Sequence, residues 1–244
     1  MYDREMISRC VLSPFGSFYK EEQVRKELID GYKYGVRSIV VEADQVPLLK
    51  EIEQVYGNGY TRTGMVLGYP YGGYTTPVKL KLAEYAIAHG IDEVDLGINI
   101  HAFWANDIDT MYNDLKAVID YSEGRLRIAA IAWLIRNSLE NIDRIMETFL
   151  KAGVKVIKTN PGGRFGEMKV EHVQYIHTHY PELEIEVAGR CRSRDIAEKM
   201  VNAGASYFHL SSWRRMSGIG DDIQFDFDEK RADYLEYRGG IWRK

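Results

Sequence analysis

The sequence predicts a (β/α)8 barrel that forms a single domain over residues 1–244. Eight short apolar segments alternate with segments of helical periodicity, which is typical of parallel strands joined through helices. The length of 244 residues suits one barrel. A doubly wound sheet also alternates strands and helices, but it needs fewer strands or a nucleotide-binding glycine turn after the first strand. Neither is present, and the barrel is therefore favoured.

Each predicted strand is a short run of mostly apolar residues. Such continuous runs indicate strands that are buried on both faces, as in parallel sheets. The eight predicted strands are Ile7–Leu12, Ser38–Val41, Thr63–Leu67, Glu93–Ile98, Leu126–Leu134, Val154–Lys158, Glu184–Val187 and Ser206–Leu210.

The predicted helices show apolar residues at helical spacing, and several end next to a glycine. They are Lys20–Tyr34, Pro47–Tyr56, Pro77–His89, Asp109–Tyr121, Leu139–Ala152, Val170–His179 and Arg194–Asn202. The charged, aromatic segment 219–244 follows the last strand, and we interpret it as a C-terminal helix or a mobile tail.

The overall composition excludes several classes of partner. The formal net charge is -4, which does not favour a nucleic-acid or an anionic-membrane partner. The longest apolar run, Ile128–Ile135, is too short to span a membrane, and the N-terminus has no signal peptide. Cys10 and Cys191 lie far apart and are expected to be free thiols. We therefore expect a cytoplasmic protein.

Three ionisable residues fall where the barrel places its active site, at the carboxyl ends of the strands. Asp95 lies on strand four, Lys158 ends strand six and Glu186 lies on strand seven. Burying a charged side chain inside a barrel is costly, so such a residue is expected to be paired with an opposite charge or to take part in catalysis. They form either an ion-pair network that holds the barrel together, or a lysine that attacks a carbonyl to form a Schiff base while carboxylates move protons.

The turns after strands six, seven and eight predict an anion site near these residues. Barrels often hold a phosphate on backbone N–H groups of such turns. The alternative is a solvated basic edge. The predicted anion-binding residues are Gly162, Gly163, Gly189, Arg190, Ser211 and Ser212.

Several segments, in order along the chain, resemble the motifs of one enzyme family. Residues 68–79 (GYPYGGYTTPVK) are similar to G-F-P-x-G-x-x-x-T-x-V-K, and residues 92–99 (DEVDLGIN) to D-E-[IV]-D-x-x-[IV]-N. Residues 156–159 (VIKT) are similar to [FV]-[IV]-K-T. Residues 203–205 (AGA) and 211–212 (SS) match two further short segments. The chain thus resembles the deoxyribose-phosphate aldolase family of class I aldolases, from about Ile7 to Trp213.

The resemblance implies a barrel lyase of carbohydrate catabolism that uses no metal and no cofactor. Lys158 would form the Schiff base, and Asp95 would transfer protons through a bound water. Gly189, Ser211 and Ser212 would hold the substrate phosphate. Barrels of this family often pair, so a homo-oligomer is compatible with the resemblance.

The chain departs from the family pattern at the mouth of the barrel. The family's strand-seven turn, K-x-[SA]-G-G-[IV]-R, has Glu186 in place of the lysine and Arg190 in place of the second glycine. The first strand lacks the family's aspartate and histidine. Strand five, which normally ends in a glutamate and a threonine, has Ile131 and Ala132 instead.

The exchange at strand seven changes the expected chemistry. A neighbouring cation lowers the pKa of a Schiff-base lysine, whereas a carboxylate such as Glu186 favours the charged, non-nucleophilic form of Lys158. We therefore expect a class I aldolase with a small phosphorylated or carboxylated carbonyl substrate other than deoxyribose 5-phosphate. The alternatives are a non-catalytic barrel that binds an anion, and an isomerase or epimerase in which Glu186 and Asp95 move the protons.

Overall fold

The computed structural model describes residues 3–14, 20–162, 168–189, 191, 193–210 and 213–220. Eight parallel strands form a closed barrel in which each strand pairs with its neighbours in chain order and the last pairs with the first. The strands are β1 (Cys10–Leu12), β2 (Ser38–Val41), β3 (Arg62–Leu67), β4 (Glu93–Gly97), β5 (Arg127–Ile131), β6 (Val156–Lys158), β7 (Glu184–Ala188) and β8 (Tyr207–His209). The predicted (β/α)8 barrel is confirmed.

The described helices surround the strands and connect them. They are α1 (Arg4–Arg9), α2 (Glu21–Tyr34), α3 (Val46–Tyr56), α4 (Thr76–Ala88), α5 (Ile100–Trp104), α6 (Ile108–Ser122), α7 (Leu139–Ala152), α8 (Val170–His179), α9 (Arg194–Asn202) and α10 (Trp213–Met216). None of the described helices is long and apolar enough to cross a membrane. Of the predicted tail, 219–244, only the first two residues lie in the described ranges.

The first predicted strand is wrong in its N-terminal half. Residues 7–9 belong to α1, and only the last three residues of the predicted segment form β1. Asp3 caps α1 by accepting a hydrogen bond from the Met6 amide at 3.0 Å. Because Met6 and Ile7 are both buried by the helix, the apolar pattern that suggested a strand is satisfied by helical packing instead.

The inside of the barrel contains little apolar packing. Outward-facing strand residues pack against the helices in the main core, whereas Val11, Val40 and Val66 form a small separate cluster. Tyr69 and Tyr207 pack against that cluster. Side chains alternate along each strand, and polar residues occupy further inward positions in two groups.

One of these groups lies at the amino ends of the strands, and we call it the floor cluster: Arg37, Glu93, Arg127, Glu184 and Tyr207. Arg37 and Arg127 both donate to Glu93, at 3.0 and 3.2 Å, and Arg127 also donates to Glu184 at 2.8 Å. The two guanidinium groups lie 4.0 and 5.0 Å from the centroid of the Tyr207 ring. Two positive and two negative charges therefore balance within hydrogen-bonding distance.

Candidate active site

Lys158 is fully buried at the carboxyl end of β6, with its amine inside the barrel. The amine donates a hydrogen bond to Asp95 Oδ2 at 2.5 Å. Asp95 lies on β4 and is itself only 1% exposed. Lys155, three residues earlier, is exposed, as the alternation of a strand requires. Of these two lysines, only Lys158 is therefore placed for chemistry inside the barrel.

A histidine from β8 joins this pair to the third predicted residue. The Nδ1 atom of His209 lies 2.9 Å from Glu186 Oε1, and its Nε2 atom lies 3.4 Å from the amine of Lys158. Nδ1 is also 3.4 Å from Asp95 Oδ2. We call Asp95, Lys158, Glu186 and His209 the mouth cluster. The hydroxyl of Ser13, just after β1, contacts Nε2 from the open side.

His209 was not among the predicted site residues, because the last strand was interpreted only as an apolar segment. A usable signal existed in the alternation of side chains. Tyr207 and His209 lie two residues apart and point to the same face of β8. A strand that places two polar rings on its inner face is unusual in an apolar barrel, and His209 is only 9% exposed.

The Lys158 amine does not pair with Glu186, the carboxylate that was expected to favour its charged form. The two residues are register partners on neighbouring strands, yet they form no ion pair with each other. Glu186 instead bonds to the ring of His209, and its second oxygen, Oε2, is buried without a hydrogen-bond partner. An orphaned carboxylate oxygen in this position is costly when the group is ionised.

Burial controls the protonation of the mouth cluster. It raises the pKa of Asp95 and of Glu186 above their ordinary values, against the opposing effect of the Lys158 charge. Burial and the Lys158 charge together lower the pKa of His209 from 6.5 to about 3. His209 is therefore neutral at physiological pH, and a neutral imidazole carries one N–H donor and one acceptor nitrogen.

The residues after Lys158 hold the end of β6 in place. The Thr159 hydroxyl accepts from the Ala188 amide at 2.9 Å and donates to the Ala188 carbonyl at 3.1 Å. Asn160 accepts from the Ile135 amide at 3.0 Å and donates to the same Ala188 carbonyl at 3.3 Å. These bonds connect β6 to β7 and to the turn after β5, which limits movement of the Lys158 backbone.

The predicted anion site falls largely outside the described residues. Gly163, Arg190, Ser211 and Ser212 belong to that part, whereas Gly162 and Gly189 are described. Gly189 follows β7 with a φ of +116°, a conformation that side-chain-bearing residues rarely adopt. Gly162 lies after β6, close to the hydroxyl of Tyr69. Both glycines thus lie at the carboxyl end of the barrel, on the side of the mouth cluster.

Three members of the mouth cluster have atoms that metal ions use as ligands. One ligand atom each from Asp95, Glu186 and His209 lies within 4.8 Å of the others. The Lys158 amine, however, already occupies the Asp95 oxygen at 2.5 Å. A metal ion bound to Asp95 would have to displace or repel that ammonium group, and we assign no metal to the site.

A second fully buried lysine lies outside the barrel. Lys79 of α4 forms an ion pair with Asp114 of α6 and donates to the carbonyl of Gly97 at 2.9 Å. Burial lowers its pKa, although Asp114 opposes this effect. Because Lys79 bonds to a carboxylate and a carbonyl between two helices and β4, it joins these elements and does not face the mouth cluster.

The chain is similar in sequence to several known enzymes. A deoxyribose-phosphate aldolase from Clostridium novyi is 31% identical over 194 residues, which cover 79% of this chain and 86% of the relative. One from Bacillus cytotoxicus is 30% identical over 209 residues, covering 85% and 91%. No family model matches the chain.

Solved structures share the fold at lower sequence identity. An aldolase named QR15 superimposes with a TM-score of 0.77 and 22% identity, covering 98% of both chains. The deoxyribose phosphate aldolase of Aeropyrum pernix, described as a tetramer, gives a TM-score of 0.79 and 19% identity, covering 88% of this chain and 90% of that one. At these identities the structures support the barrel fold.

Proposed function

This chain belongs to the deoxyribose-phosphate aldolase family and is a lyase of the aldolase class, and from that premise we propose that Lys158 is its Schiff-base nucleophile. The observation that carries the proposal is the position of the Lys158 amine, buried at the end of β6 and 2.5 Å from Asp95. Lys79, the other buried lysine of the described residues, bonds to Asp114 of α6 and to the carbonyl of Gly97 instead.

In the proposed reaction, the neutral amine of Lys158 adds to a substrate carbonyl. A proton moves from nitrogen to the carbonyl oxygen and gives a carbinolamine. Its hydroxyl takes a further proton from a general acid and leaves as water, and an iminium ion forms. The iminium accepts the electron pair of the breaking C–C bond and becomes an enamine. Asp95, with a pKa raised by burial, exchanges protons with the reacting groups.

We propose a small phosphorylated sugar, or a phosphorylated or carboxylated keto compound, as the substrate. The named relatives are aldolases of deoxyribose phosphate. An anion of the substrate would be held by the turns after β6, β7 and β8, with Gly162, Gly163, Gly189, Arg190, Ser211 and Ser212. Arg190, which stands in place of a family glycine, would add a permanent positive charge to the predicted anion-binding residues.

Borohydride reduction tests the proposal. A panel of sugar phosphates and 2-keto acids is incubated with the protein and reduced, and the intact mass is measured. At least one compound should add the mass of its reduced adduct, and Lys158→Met should prevent this addition. If no carbonyl compound leaves mass on the wild-type chain, Lys158 does not act as a Schiff-base nucleophile.

Two alternative functions make different predictions for the same samples. A non-catalytic anion-binding barrel would keep Lys158 paired with both carboxylates, whereas the amine here pairs with Asp95 and not with Glu186. An isomerase or epimerase using Asp95 and Glu186 would convert a sugar phosphate without breaking a C–C bond. Analysis of the products by NMR distinguishes that outcome from cleavage.

We further propose that the protein acts in the cytoplasm and associates with copies of itself. The support for self-association is the tetrameric state described for the Aeropyrum pernix enzyme. Light scattering coupled to size-exclusion chromatography should give a mass that is a multiple of 28.1 kDa. A single mass of 28.1 kDa at all concentrations would contradict self-association.

A further inference from the structure

We propose that His209 is a catalytic residue that carries a proton from the Lys158 ammonium group to the Glu186 carboxylate. The inference rests on the proposed Schiff base at Lys158 and gives a role to the glutamate that replaces the family's strand-seven lysine. In this role His209 touches the reacting nitrogen, whereas Glu186 acts only through the ring.

The ring of His209 lies between the two groups that would exchange the proton. Nε2 is 3.4 Å from the Lys158 amine, and Nδ1 is 2.9 Å from Glu186 Oε1. The first distance is long for a hydrogen bond, as catalytic contacts often are before substrate binds. Ser13 contacts Nε2 from the mouth and helps to hold the ring in this orientation.

The proton balance requires no external reagent. Nε2 accepts a proton from the ammonium group of Lys158, and Nδ1 releases its own proton to Glu186. The ring remains neutral and changes only its tautomer. Lys158 becomes a neutral amine, and Glu186 becomes a neutral carboxylic acid.

Burial favours this transfer. The charged groups that face the ring are Asp95, Lys158 and Glu186, with Glu93 in the layer below. While Asp95 stays ionised during this one step, the mouth cluster holds three buried charges before the transfer and one afterwards. Asp95 then accepts its hydrogen bond from a neutral amine instead of an ammonium group. Each charge removed from a dry site saves part of its desolvation cost. The orphaned Oε2 of Glu186 is also less costly once the group is neutral.

Later in the reaction, a proton moves from Glu186 through His209 to the substrate. After the amine has added to the carbonyl, the Nε2–H group faces the new hydroxyl and can donate to it, so that the oxygen leaves as water. The Glu186 proton then moves back to Nδ1, which restores the starting tautomer. The relay thus activates the nucleophile and supplies the acid for dehydration, without a second lysine.

The test compares His209→Asn with His101→Asn, which makes the same exchange at an exposed histidine of α5 outside the mouth cluster. The readout is the rate of borohydride trapping at Lys158 with the best carbonyl compound from the panel. Loss of general acid–base catalysis should slow trapping by His209→Asn roughly a hundredfold or more. His101→Asn should trap at the wild-type rate, and thermal unfolding confirms that each variant is folded.

A second measurement separates proton transfer from a positioning role. His209→Ala leaves space beside Lys158, and added imidazole should restore part of the trapping rate because it supplies the missing base. If His209→Ala does not fold, His209→Gln serves in its place, and its rate should then match that of His209→Asn. The Glu186→Gln variant should also trap more slowly than the wild-type protein, and added imidazole should not restore its rate.

The outcomes distinguish this inference from the proposed function. If the wild-type chain traps no compound, the Schiff base at Lys158 is wrong and the role of His209 is lost with it. If the wild-type chain traps a compound and His209→Asn does so at the same rate, only the relay is wrong. Slow trapping that imidazole does not improve would make His209 a positioning residue and overturn its assignment as a proton carrier.

Discussion

The floor cluster and the mouth cluster occupy the two ends of one barrel, and they differ in how completely their charged groups are paired. In the floor cluster, two arginines and two glutamates share short hydrogen bonds and an aromatic ring. In the mouth cluster, one lysine faces two carboxylates, and Glu186 keeps an oxygen without a partner. The floor cluster is electrically balanced, whereas the mouth cluster is balanced only if a proton is added.

This difference in pairing indicates a structural role for the floor cluster and a chemical role for the mouth cluster. Complete pairing makes a buried network stable in one protonation state, which suits the closed end of a barrel. An incompletely paired network has several protonation states of similar free energy, which suits proton transfer. Four substitutions, together with their controls, test this contrast.

The largest effect is expected for Lys158→Met. Without the amine no iminium ion can form, so turnover should fall on the order of 10³-fold or more. The fold should persist, because methionine fits the space and Asp95, whose pKa is raised by burial, can take up a proton. Turnover and thermal unfolding measure the two effects. Retained turnover would remove Lys158 from the mechanism.

Lys79→Met is the matched control for that exchange. It leaves Asp114 buried without its partner, so the free energy of unfolding should fall by about 3 kcal/mol, as for other broken buried ion pairs. Turnover per folded molecule should not change. If Lys79→Met were instead stable and inactive, Lys79 would be the lysine needed for activity, and its assignment to a structural role would be wrong.

Glu93→Gln should break the floor cluster. Both arginines lose the carboxylate that they share, and chemical denaturation should show a loss of about 3 kcal/mol in the free energy of unfolding. Borohydride trapping per folded molecule should stay near the wild-type rate. A large loss of trapping in a folded protein would contradict the separation of the two clusters.

The pH dependence of stability should distinguish His209→Asn from the wild-type chain. The pKa of His209 is about 3 in the folded protein and 6.5 ordinarily, so the unfolded chain binds a proton at higher pH than the folded chain. The wild-type protein therefore loses stability as the pH falls from 6.5 towards 3. The raised pKa values of Asp95 and Glu186 act in the opposite direction, because the folded state then binds their protons first.

Replacing His209 by asparagine removes the first contribution. Denaturation between pH 7 and pH 4 should show a smaller loss of stability for His209→Asn than for the wild-type protein. An equal or steeper loss would show that His209 does not remain neutral in the folded protein.

The smallest effect is expected for Tyr207→Leu. The ring contributes two cation–π contacts to the floor cluster, and their loss should cost about 1 kcal/mol of unfolding free energy. Thermal unfolding measures this cost, and Tyr207→Phe, which keeps a ring, should lose less. If Tyr207→Leu loses activity and not stability, the floor cluster also affects the chemistry of the mouth cluster, which would contradict their separate roles.

The barrel itself could be predicted because its signals are local. Apolar runs and helical spacing mark strands and helices without knowledge of what packs against them. One exception was β1, where Met6 and Ile7 belong to the buried face of a helix and not to the strand. A three-residue strand is too short for its alternation to be distinguished from a helical turn. Another exception was the predicted strand Leu126–Leu134, because β5 ends at Ile131 and Leu134 begins a short 3-10 helix.

The mouth cluster could be predicted only in part. Asp95, Lys158 and Glu186 were expected to converge because each lies near the carboxyl end of its strand, and the structure brings all three to one end of the barrel. His209 also ends its strand, but the last strand was interpreted only as an apolar segment. Its ring lies between Lys158 and Glu186 through the pairing of β8 with its neighbours, and that spatial order is absent from the linear sequence.

Peptide mapping of the borohydride-reduced wild-type protein tests the assignment of Lys158 most directly, because it compares Lys158 with Lys79, the other fully buried lysine of the described residues, within one molecule. We predict that the adduct mass lies on the peptide that contains Lys158 and that the peptide containing Lys79 is unmodified. An adduct on Lys79, or an equal adduct that persists in Lys158→Met, would contradict a Schiff base at Lys158.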